Sequence, residues 1–262
     1  MKLSIIILTW NSEQHIKSCL SSLVDDLDSE EISYEILVVD NGSSDGSRGV
    51  IEEFANNHPK IIQPIFLDYN TGTTYSRNLA LKQAKGECIA ILDSDIIICQ
   101  KTFRPLLQKL LESSHIGMVV PKLIYRSGDF QKSTDDFPTI FSKFRRYFFL
   151  KNIEQSEGEK IKADAQLVDY AISAFWLLKR EVIKKVGLLD EKIFYAPEDV
   201  DYCLRIWKSG YGILYCPYCE VIHDAQEISR GFKFNRAFWE HLKGLLYYFI
   251  KHRYFFRKPS FF

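Results

Sequence analysis

The sequence lacks several features that would place it in a particular class of protein. It has no apolar run near the ~20 residues that a membrane-spanning helix needs. The apolar start Met1–Leu8 is ended by Trp10–Glu13, too early for a secretory signal. It has no internal repeat and no low-complexity linker. These absences predict one globular domain with a C-terminal extension in a cytoplasmic compartment.

The sequence also lacks the ligand set of a structural zinc site. Cys216 and Cys219 form a single Cys-x-x-Cys pair before His223, so a fourth ligand is missing. Most of the six cysteines lie in apolar segments, where a thiol packs as a small hydrophobic group. Packed thiols in a reducing compartment are therefore the expectation, and a zinc knuckle is the alternative.

Neither charge is in excess, because 34 Lys and Arg balance 34 Asp and Glu, but the distribution is uneven. Residues 229–262 hold eight Lys or Arg and one acid, a net charge of +7, which leaves −7 on residues 1–228. Residues 230–262 also hold 12 of the 37 aromatic residues. A helix is expected from Phe238 to about Phe256. One face of it would carry Phe238, Leu242, Leu245, Phe249 and Ile250.

Two interpretations of this basic, aromatic tail remain open. The helix packs on its own domain, or residues 230–262 rest on an anionic membrane surface. The aromatic and basic run Phe137–Lys151 is a second candidate membrane contact. No recognisable nucleic-acid-binding module accompanies the charge, so no nucleic-acid partner is expected.

The first half of the sequence contains a series of β-then-α segments. Its predicted strands are apolar runs, each followed by a helical pattern, namely Leu3–Leu8, Tyr34–Val39, Ile61–Leu67 and Cys88–Leu92. Four such units predict an α/β fold, a doubly wound and mainly parallel sheet with helices on both faces. Ligands of these sheets bind beyond the carboxyl ends of the strands, where Asp40, Asn70 and Asp93 fall.

The pattern changes after Pro121, and residues 126–165 predict a loop-rich insertion. Regular structure is expected to resume with a strand at Ala174–Leu178, a helix at Arg180–Val186, a helix from Pro197-Glu198-Asp199 to Ser209, and short strands at Gly212–Tyr215 and Val221–Ile222. The chain is therefore divided into residues 1–98 and 99–228, which form one domain, and an extension over residues 229–262.

Asp93-Ser94-Asp95 closes the fourth predicted strand. Alternate residues of an extended segment point to the same side, so the two carboxylates can converge. Two acids at the exit of an apolar strand need a cation or hydrogen bonds. Mg²⁺ or Mn²⁺, held by carboxylates and substrate phosphates, meets that need. The alternative is that Asp93 and Asp95 only cap the following loop.

Together these segments resemble inverting family 2 glycosyltransferases with a GT-A fold, from about Leu3 to His223. The resemblance is carried by Ser4–Asn11, Val39–Gly46, Asn70–Gly72, Ser76–Ala80, Gly86-Glu87, Phe194–Arg205 and His223. The aromatic, basic stretch after the late histidine is similar to that of bacterial rhamnosyltransferases of the family. Ser173-Ala174-Phe175-Trp176 departs from the family's more usual Gly-Ala-x-Met, which leaves the sugar and the acceptor open.

The resemblance implies a role for each matched residue. Nucleotide-sugar contacts would come from Thr9, Asn11, Asp40, Asn70, Gly72, Arg77, Asp93 and Ser94. Mn²⁺ or Mg²⁺ would be held by Asp95, Asp93 and His223. Asp199 would be the general base, and Glu198 would orient the acceptor or support the base. Arg77 would lie near the diphosphate or brace an aspartate of the site.

The resemblance also implies substrates and a location. The donor would be a dTDP-, UDP- or GDP-sugar, bound by residues 1–98. The acceptor would be a glycan or lipid-linked glycan, bound by residues 99–228, at the inner face of the cell membrane. Two other functions agree less well with the sequence. A nucleotidyltransferase would need a glycine-rich segment where Thr9–Ser12 has none, and the acids argue against a non-catalytic glycan- or membrane-binding protein.

Overall fold

The computed structural model describes residues 2–139, 164–224 and 236–261, with no side-chain placement for residues 236–238. The first half alternates strands and helices as the apolar runs predict. Its elements are β1 (Lys2–Thr9), α1 (Glu13–Ser29), β2 (Ser33–Asp40), α2 (Ser47–Asn57), β3 (Ile62–Phe66), α3 (Thr73–Gln83) and β4 (Cys88–Asp93). Most of the predicted insertion, and of the run Phe137–Lys151, lies outside the described residues.

The second half contains strands and helices of very different lengths. They are β5 (Ile96–Ile98), α4 (Phe103–Glu112), β6 (Ile116–Ile124), β7 (Phe130–Gln131), β8 (Thr134–Asp135), β9 (Gln166–Leu167), β10 (Tyr170–Ala171), β11 (Phe175–Lys179), α5 (Arg180–Val186), α6 (Glu198–Lys208), β12 (Gly212–His223) and α7 (Arg236–His252). The helices predicted after Lys179 and Pro197 are confirmed.

The strand β6, which ends at Ile124, was not predicted. One prediction of element bounds in this half is wrong. The two short strands predicted near the end form one strand, β12, whose register against β6 shifts between Cys216 and Glu220. Pro217 lies inside that shift and has no N–H to give to a ladder, so the sequence pattern breaks although the strand does not.

The main sheet has the order β3-β2-β1-β4-β11-β6-β12-β5. Neighbours β1–β2, β1–β4, β2–β3 and β6–β12 are parallel. Strand β11 is inserted antiparallel between β4 and β6, and β5 pairs antiparallel with β12 at the end of this order. Leu3, Ile5 and Ile7 pack on one face with α1, α2 and α4, and Ile6 packs on the other with α3, α5, α6 and α7. The predicted mainly parallel sheet with helices on both faces is confirmed.

The C-terminal helix α7 packs on the domain with only part of the predicted face, namely Leu245 and Phe249, together with Tyr248. Tyr248 is fully buried and Phe249 is 4% exposed, while Leu245 packs against the same core. Leu242 and Ile250, predicted on this face, are 47% and 59% exposed. The periodicity left several apolar faces possible, and only the contacts with the domain select one of them.

Polar contacts fasten α7 to α6. The Nζ atom of Lys251 lies 2.6 Å from Asp201 Oδ1, and His252 Nε2 lies 2.8 Å from the same oxygen. Burial alone would raise the pKa of Asp201, but the hydrogen bonds from His252 and Lys251 and the charge of Arg205 lower it to about 2. A Cβ atom on Gly244 would come within 2.1 Å of the Ala196 carbonyl oxygen. The middle of α7 therefore lies directly against the segment that leads into α6.

None of the helices in the three described ranges is long and apolar enough to cross a bilayer.

Candidate active site

The carboxyl ends of the parallel strands gather the predicted site residues at one edge of the sheet. Thr9 ends β1 and pairs with Asp40 at the end of β2, while Asp93 ends β4 beside Leu8. His223 ends β12, which runs in the same direction as β4, since β6 parallels both. Strand topology alone therefore brings residues from distant parts of the sequence to one edge.

Asp93, Asp95 and His223 form a compact cluster of possible metal ligands. One ligand atom from each lies within 4.8 Å of the others, and His223 Nε2 is 3.4 Å from Asp95 Oδ1. The Asp95 Oδ1 atom is buried and makes no hydrogen bond with the described residues. Two carboxylates and an imidazole suit a divalent cation, so the residues present fit the predicted metal.

Gln131 orients the histidine of this cluster. Its Oε1 atom lies 2.8 Å from His223 Nδ1, which leaves Nε2 directed towards Asp95. The side chain reaches this position because β7 pairs with β6, with Gln131 opposite Leu123. Gln131 was not predicted, since it lies in the stretch of weak periodicity and no sequence signal distinguishes it.

Arg77 of α3 connects the acidic cluster to the start of α6. Its side chain is 1% exposed. Its Nη2 atom donates to Asp93 Oδ1 at 2.5 Å, and Nη1 donates to Glu198 Oε1 at 3.3 Å. Of the two positions expected for Arg77, the structure gives the brace on an aspartate, and it adds Glu198 as a second anchor. Asp93 and the Glu198-Asp199 pair are therefore neighbours.

Ser173 is a further member of this network. Its Oγ atom accepts from Arg77 Nη1 at 2.8 Å and donates to Glu198 Oε1 at 2.9 Å. The family's more usual residue here is glycine, which has no hydroxyl to donate. The serine that departs from the family's usual pattern therefore adds a hydrogen bond to Glu198.

The two acids at the start of α6 have different environments. Glu198 is 6% exposed, and burial raises its pKa to about 8, with the Asp199 carboxylate adding to the rise and Arg77 opposing it. Asp199 is only partly buried, and its Oδ1 atom accepts from Val200 N at 2.8 Å. Glu198 is therefore held inside the protein, whereas Asp199 remains the more accessible carboxylate.

Glu198→Gln is expected to make stability less sensitive to pH. The carboxyl has a pKa near 4.5 when exposed and about 8 in the fold. Between these values the unfolded chain releases the proton first, so wild-type stability falls as pH rises from 4.5 to 8. Between pH 4 and pH 8.5, the free energy of unfolding of the variant should rise relative to that of the wild type by on the order of a few kcal/mol. Chemical denaturation across this pH range measures the free energy of unfolding, and Glu87→Gln is the control at an exposed acid. The same pH dependence of the free energy of unfolding in the wild type and Glu198→Gln would contradict the prediction.

Thr9 and Asp40 each present a buried polar atom with no hydrogen-bond partner among the described residues. These atoms are Thr9 Oγ1 and Asp40 Oδ1. The other carboxylate oxygen of Asp40 accepts from Arg48 Nε at 2.9 Å. Arg48 also lies over the Phe66 ring, 5.3 Å from its centroid. Buried polar groups without partners are rare, so this pair is a candidate ligand contact. Arg48 has no signal in the sequence that would have identified it.

The predicted residues Asn11 and Ser94 connect neighbouring loops. The Oδ1 atom of Asn11 accepts from Ser44 N at 2.8 Å, which joins the loops after β1 and β2. The Oγ atom of Ser94 donates to Ser12 Oγ at 2.9 Å. Both side chains lie at the carboxyl edge of the sheet, where they fix the relative positions of the loops.

Asn70 and Gly72 organise the loop between β3 and α3. The Oδ1 atom of Asn70 accepts from Gly72 N at 3.0 Å and from Asn41 Nδ2 at 3.1 Å. Gly72 has φ +88°, and a Cβ atom there would lie 2.5 Å from the Phe194 carbonyl oxygen. Because glycine has no Cβ atom, the backbone at Gly72 can lie directly against Phe194, which is four residues before Glu198.

The cysteines do not form a zinc site with His223. Cys216 and Cys219 are buried in the hydrophobic core, and burial raises the pKa of Cys219 to about 12, with the neighbouring Cys216 adding to the rise. The His223 ring instead faces Asp95 and Gln131. The interpretation of packed thiols is therefore preferred over a zinc knuckle.

Comparisons with known proteins agree with this arrangement. The family model described as glycosyl transferase family 2 matches residues 4–187. Rhamnosyltransferase WbbL of Escherichia coli K12 is 28% identical over 95% of this chain and 93% of its own length. The uncharacterised glycosyltransferase YfnE of Bacillus subtilis is 26% identical over 80% of this chain and 61% of its own length.

Solved structures show the same fold. A mannosyltransferase of Pyrobaculum calidifontis, in complex with GDP-Man and Mn²⁺, has a TM-score of 0.65 at 18% identity, over 98% of this chain and 65% of that one. GalNAc-T7 with UDP, GalNAc and Mn²⁺ has a TM-score of 0.70 at 16% identity, over 95% and 48%. The chain thus spans less than two thirds of each of these structures. With a GT-A sheet and a family match over most of its length, the chain belongs to glycosyl transferase family 2 and is a nucleotide-sugar-dependent glycosyltransferase.

Proposed function

We propose that the chain transfers a sugar from a nucleoside-diphosphate sugar to a hydroxyl of a glycan or lipid-linked glycan, with inversion at the anomeric carbon. The observation that carries the proposal is the Arg77 bridge. One buried guanidinium holds Asp93, in the acidic cluster, and Glu198, next to Asp199. Residues suited to the leaving diphosphate and to the attacking hydroxyl therefore lie side by side, as a single displacement requires.

Asp93, Asp95 and His223 would hold Mn²⁺ or Mg²⁺. The fit rests on their convergence and on the buried, unbonded Oδ1 atom of Asp95. Gln131 supports it by fixing the histidine ring. When bound, the ion would supply Lewis-acid stabilisation of the departing nucleoside diphosphate.

The donor nucleotide would lie against the ends of β1 and β2. The Asp40 carboxylate can accept from an imide N–H or a hydroxyl, and Thr9 can donate or accept. Because Asp40 is fully buried, the nucleobase reaches it only if the loops after β2 and β3 part. Asn11, Asn70 and Gly72 hold these loops, and Ser94 joins the loop after β4 to the loop after β1. All four residues would shape the nucleotide pocket. A dTDP-deoxyhexose is the preferred donor, supported by the similarity to a rhamnosyltransferase, ahead of UDP- and GDP-sugars.

Asp199 would act as the general base. It would take the proton from the acceptor hydroxyl while that oxygen bonds to the anomeric carbon and the bond from that carbon to the diphosphate oxygen breaks. Attack opposite the leaving group inverts the configuration. Glu198 would be a positioning residue, because Arg77 and Ser173 occupy its Oε1 atom. In this scheme residues 1–98 bind the donor and residues 99–228 the acceptor, at the cytoplasmic face of the membrane.

A thermal-shift panel of dTDP-, UDP- and GDP-sugars, each with and without Mn²⁺, tests the proposal. Saturating donor binding at 100 times Kd stabilises a protein by about 2.7 kcal/mol, a rise on the order of 5–10 °C for a chain of this size. We expect one donor class to give that rise, and only with metal. The absence of a rise with every donor would contradict the proposal, and a metal-independent rise would contradict its metal component.

A further inference from the structure

The outer face of α7 carries a continuous apolar stripe, formed by Trp239, Leu242, Leu246 and Ile250. These side chains are 51%, 47%, 60% and 59% exposed. At 100° per residue, the four positions fall within roughly 80° of one another on the helix. Exposed apolar residues are common singly, but an ordered row along one helix face indicates an interaction surface.

The stripe is distinct from the face that holds α7 to the domain. Tyr248 and Phe249 are buried in the core, and Tyr248 is about half a turn from the middle of the stripe. The contacts that Lys251 and His252 make with Asp201 lie on the packed side. Because the domain already occupies one face, the stripe is the exposed face of the docked helix within the part of the chain that the structure describes.

Basic side chains lie beside the stripe and beyond the end of the helix. The Lys243 side chain is 71% exposed and pairs with Glu240 at 3.1 Å, whereas Arg253 and Arg257 are exposed beyond the helix end. Phe256, which is 82% exposed, lies among them. Residues 229–262 carry a net charge of +7 in the sequence. Lys251 and Lys258 pair with acids of the domain, which leaves exposed Arg253 and Arg257, among the described residues, to attract anionic lipids.

We propose that the outer face of α7, together with Phe256, docks on the surface of an anionic lipid bilayer. An interfacial helix needs an apolar face, flanking cations and a tryptophan or phenylalanine at the interface, and all three are present. A second copy of the chain fits less well, because two-fold pairing would bring the basic residues of both copies into one interface. The inference deepens the proposed lipid-linked acceptor, but vesicle binding requires no catalysis, so the two proposals can fail separately.

Co-sedimentation of the full chain with lipid vesicles tests this surface. The wild type should bind phosphatidylglycerol-containing vesicles at least tenfold more tightly than pure phosphatidylcholine, and less tightly as salt rises. Leu246→Glu/Ile250→Glu should weaken binding to the anionic vesicles at least tenfold. Leu111→Glu/Leu167→Glu, at leucines 51% and 41% exposed elsewhere, is the matched control and should bind as the wild type does.

Two further measurements keep the result interpretable. Unchanged thermal unfolding and donor-induced shift in Leu246→Glu/Ile250→Glu would show that the core is intact. Equal vesicle binding by wild type and that variant would overturn the proposal, as would failure of the wild type to bind anionic vesicles. A wild-type dimer in light scattering that this variant converts to a monomer, without vesicle binding, would assign the stripe to a second copy instead.

Discussion

Asp199→Asn is expected to lower kcat by about 10²–10⁴-fold, the usual contribution of a general base. Asparagine keeps the size of the side chain and its carbonyl oxygen, so the contact with Val200 N can persist. It cannot take up the acceptor proton, however. Steady-state transfer assays with the donor identified by the thermal-shift panel give kcat, and the same panel gives donor affinity, which should change little.

The control for this variant is Glu181→Gln, an acid in the first turn of another helix, α5. It should transfer sugar at the wild-type rate. Transfer by Asp199→Asn at the wild-type rate would remove Asp199 from the base role. A parallel loss of donor binding in Asp199→Asn would instead mean that the substitution disturbs the Arg77 network.

Asp95→Ala is expected to abolish the Mn²⁺-dependent part of donor binding. The variant removes a buried carboxylate oxygen that makes no hydrogen bond within the described part of the chain, so few protein contacts are lost with it. Loss of an outer partner of a metal ligand costs about 10–100-fold in affinity, and loss of the ligand should cost more. Titration with Mn²⁺ in the presence of donor measures this loss.

Gln131→Ala provides a graded comparison, because Gln131 contacts the proposed ligand His223 and is not itself a proposed ligand. Its Mn²⁺ affinity should fall by about 10–100-fold, between the wild type and Asp95→Ala. Asp129→Ala, at an exposed acid of a neighbouring turn, should behave as the wild type does. Retention of full metal-dependent binding by Asp95→Ala would exclude Asp95 as a ligand.

Much of the fold could be predicted because it depends on local patterns. Buried parallel strands appear as uninterrupted apolar runs, so β1, β2 and β4 are visible in the sequence. Ligands of such sheets bind at the carboxyl edge. The sequence therefore predicts that Asp40 and Asp93, which follow two of these strands, lie close together. Arg77 was linked to an aspartate of the site by the family resemblance, and not by a local pattern, because the sequence does not show that this arginine is buried.

Other features depend on contacts that no local pattern encodes. Gln131 reaches His223 only through the pairing of β7 with β6. Ser173 was visible as a departure from the family pattern, but its bond to Glu198 requires α3, β11 and α6 to meet. The spacing of apolar residues in α7 is compatible with several buried faces, and only the contacts with the domain show that the buried face is centred on Tyr248.

The attachment of α7 to α6 has a consequence for how the molecule opens. Asp201 is fully buried and shares one oxygen between Lys251 and His252 of α7. Detaching α7 would remove Lys251 and His252 from that buried carboxylate, which is unfavourable in a low-dielectric environment. It would also expose the part of the hydrophobic core that packs around Tyr248. The two helices therefore belong to one cooperative unit, and their backbone amides should exchange through a shared opening. We therefore expect fluctuations of the last helix to be coupled to those of the segment that carries Asp199.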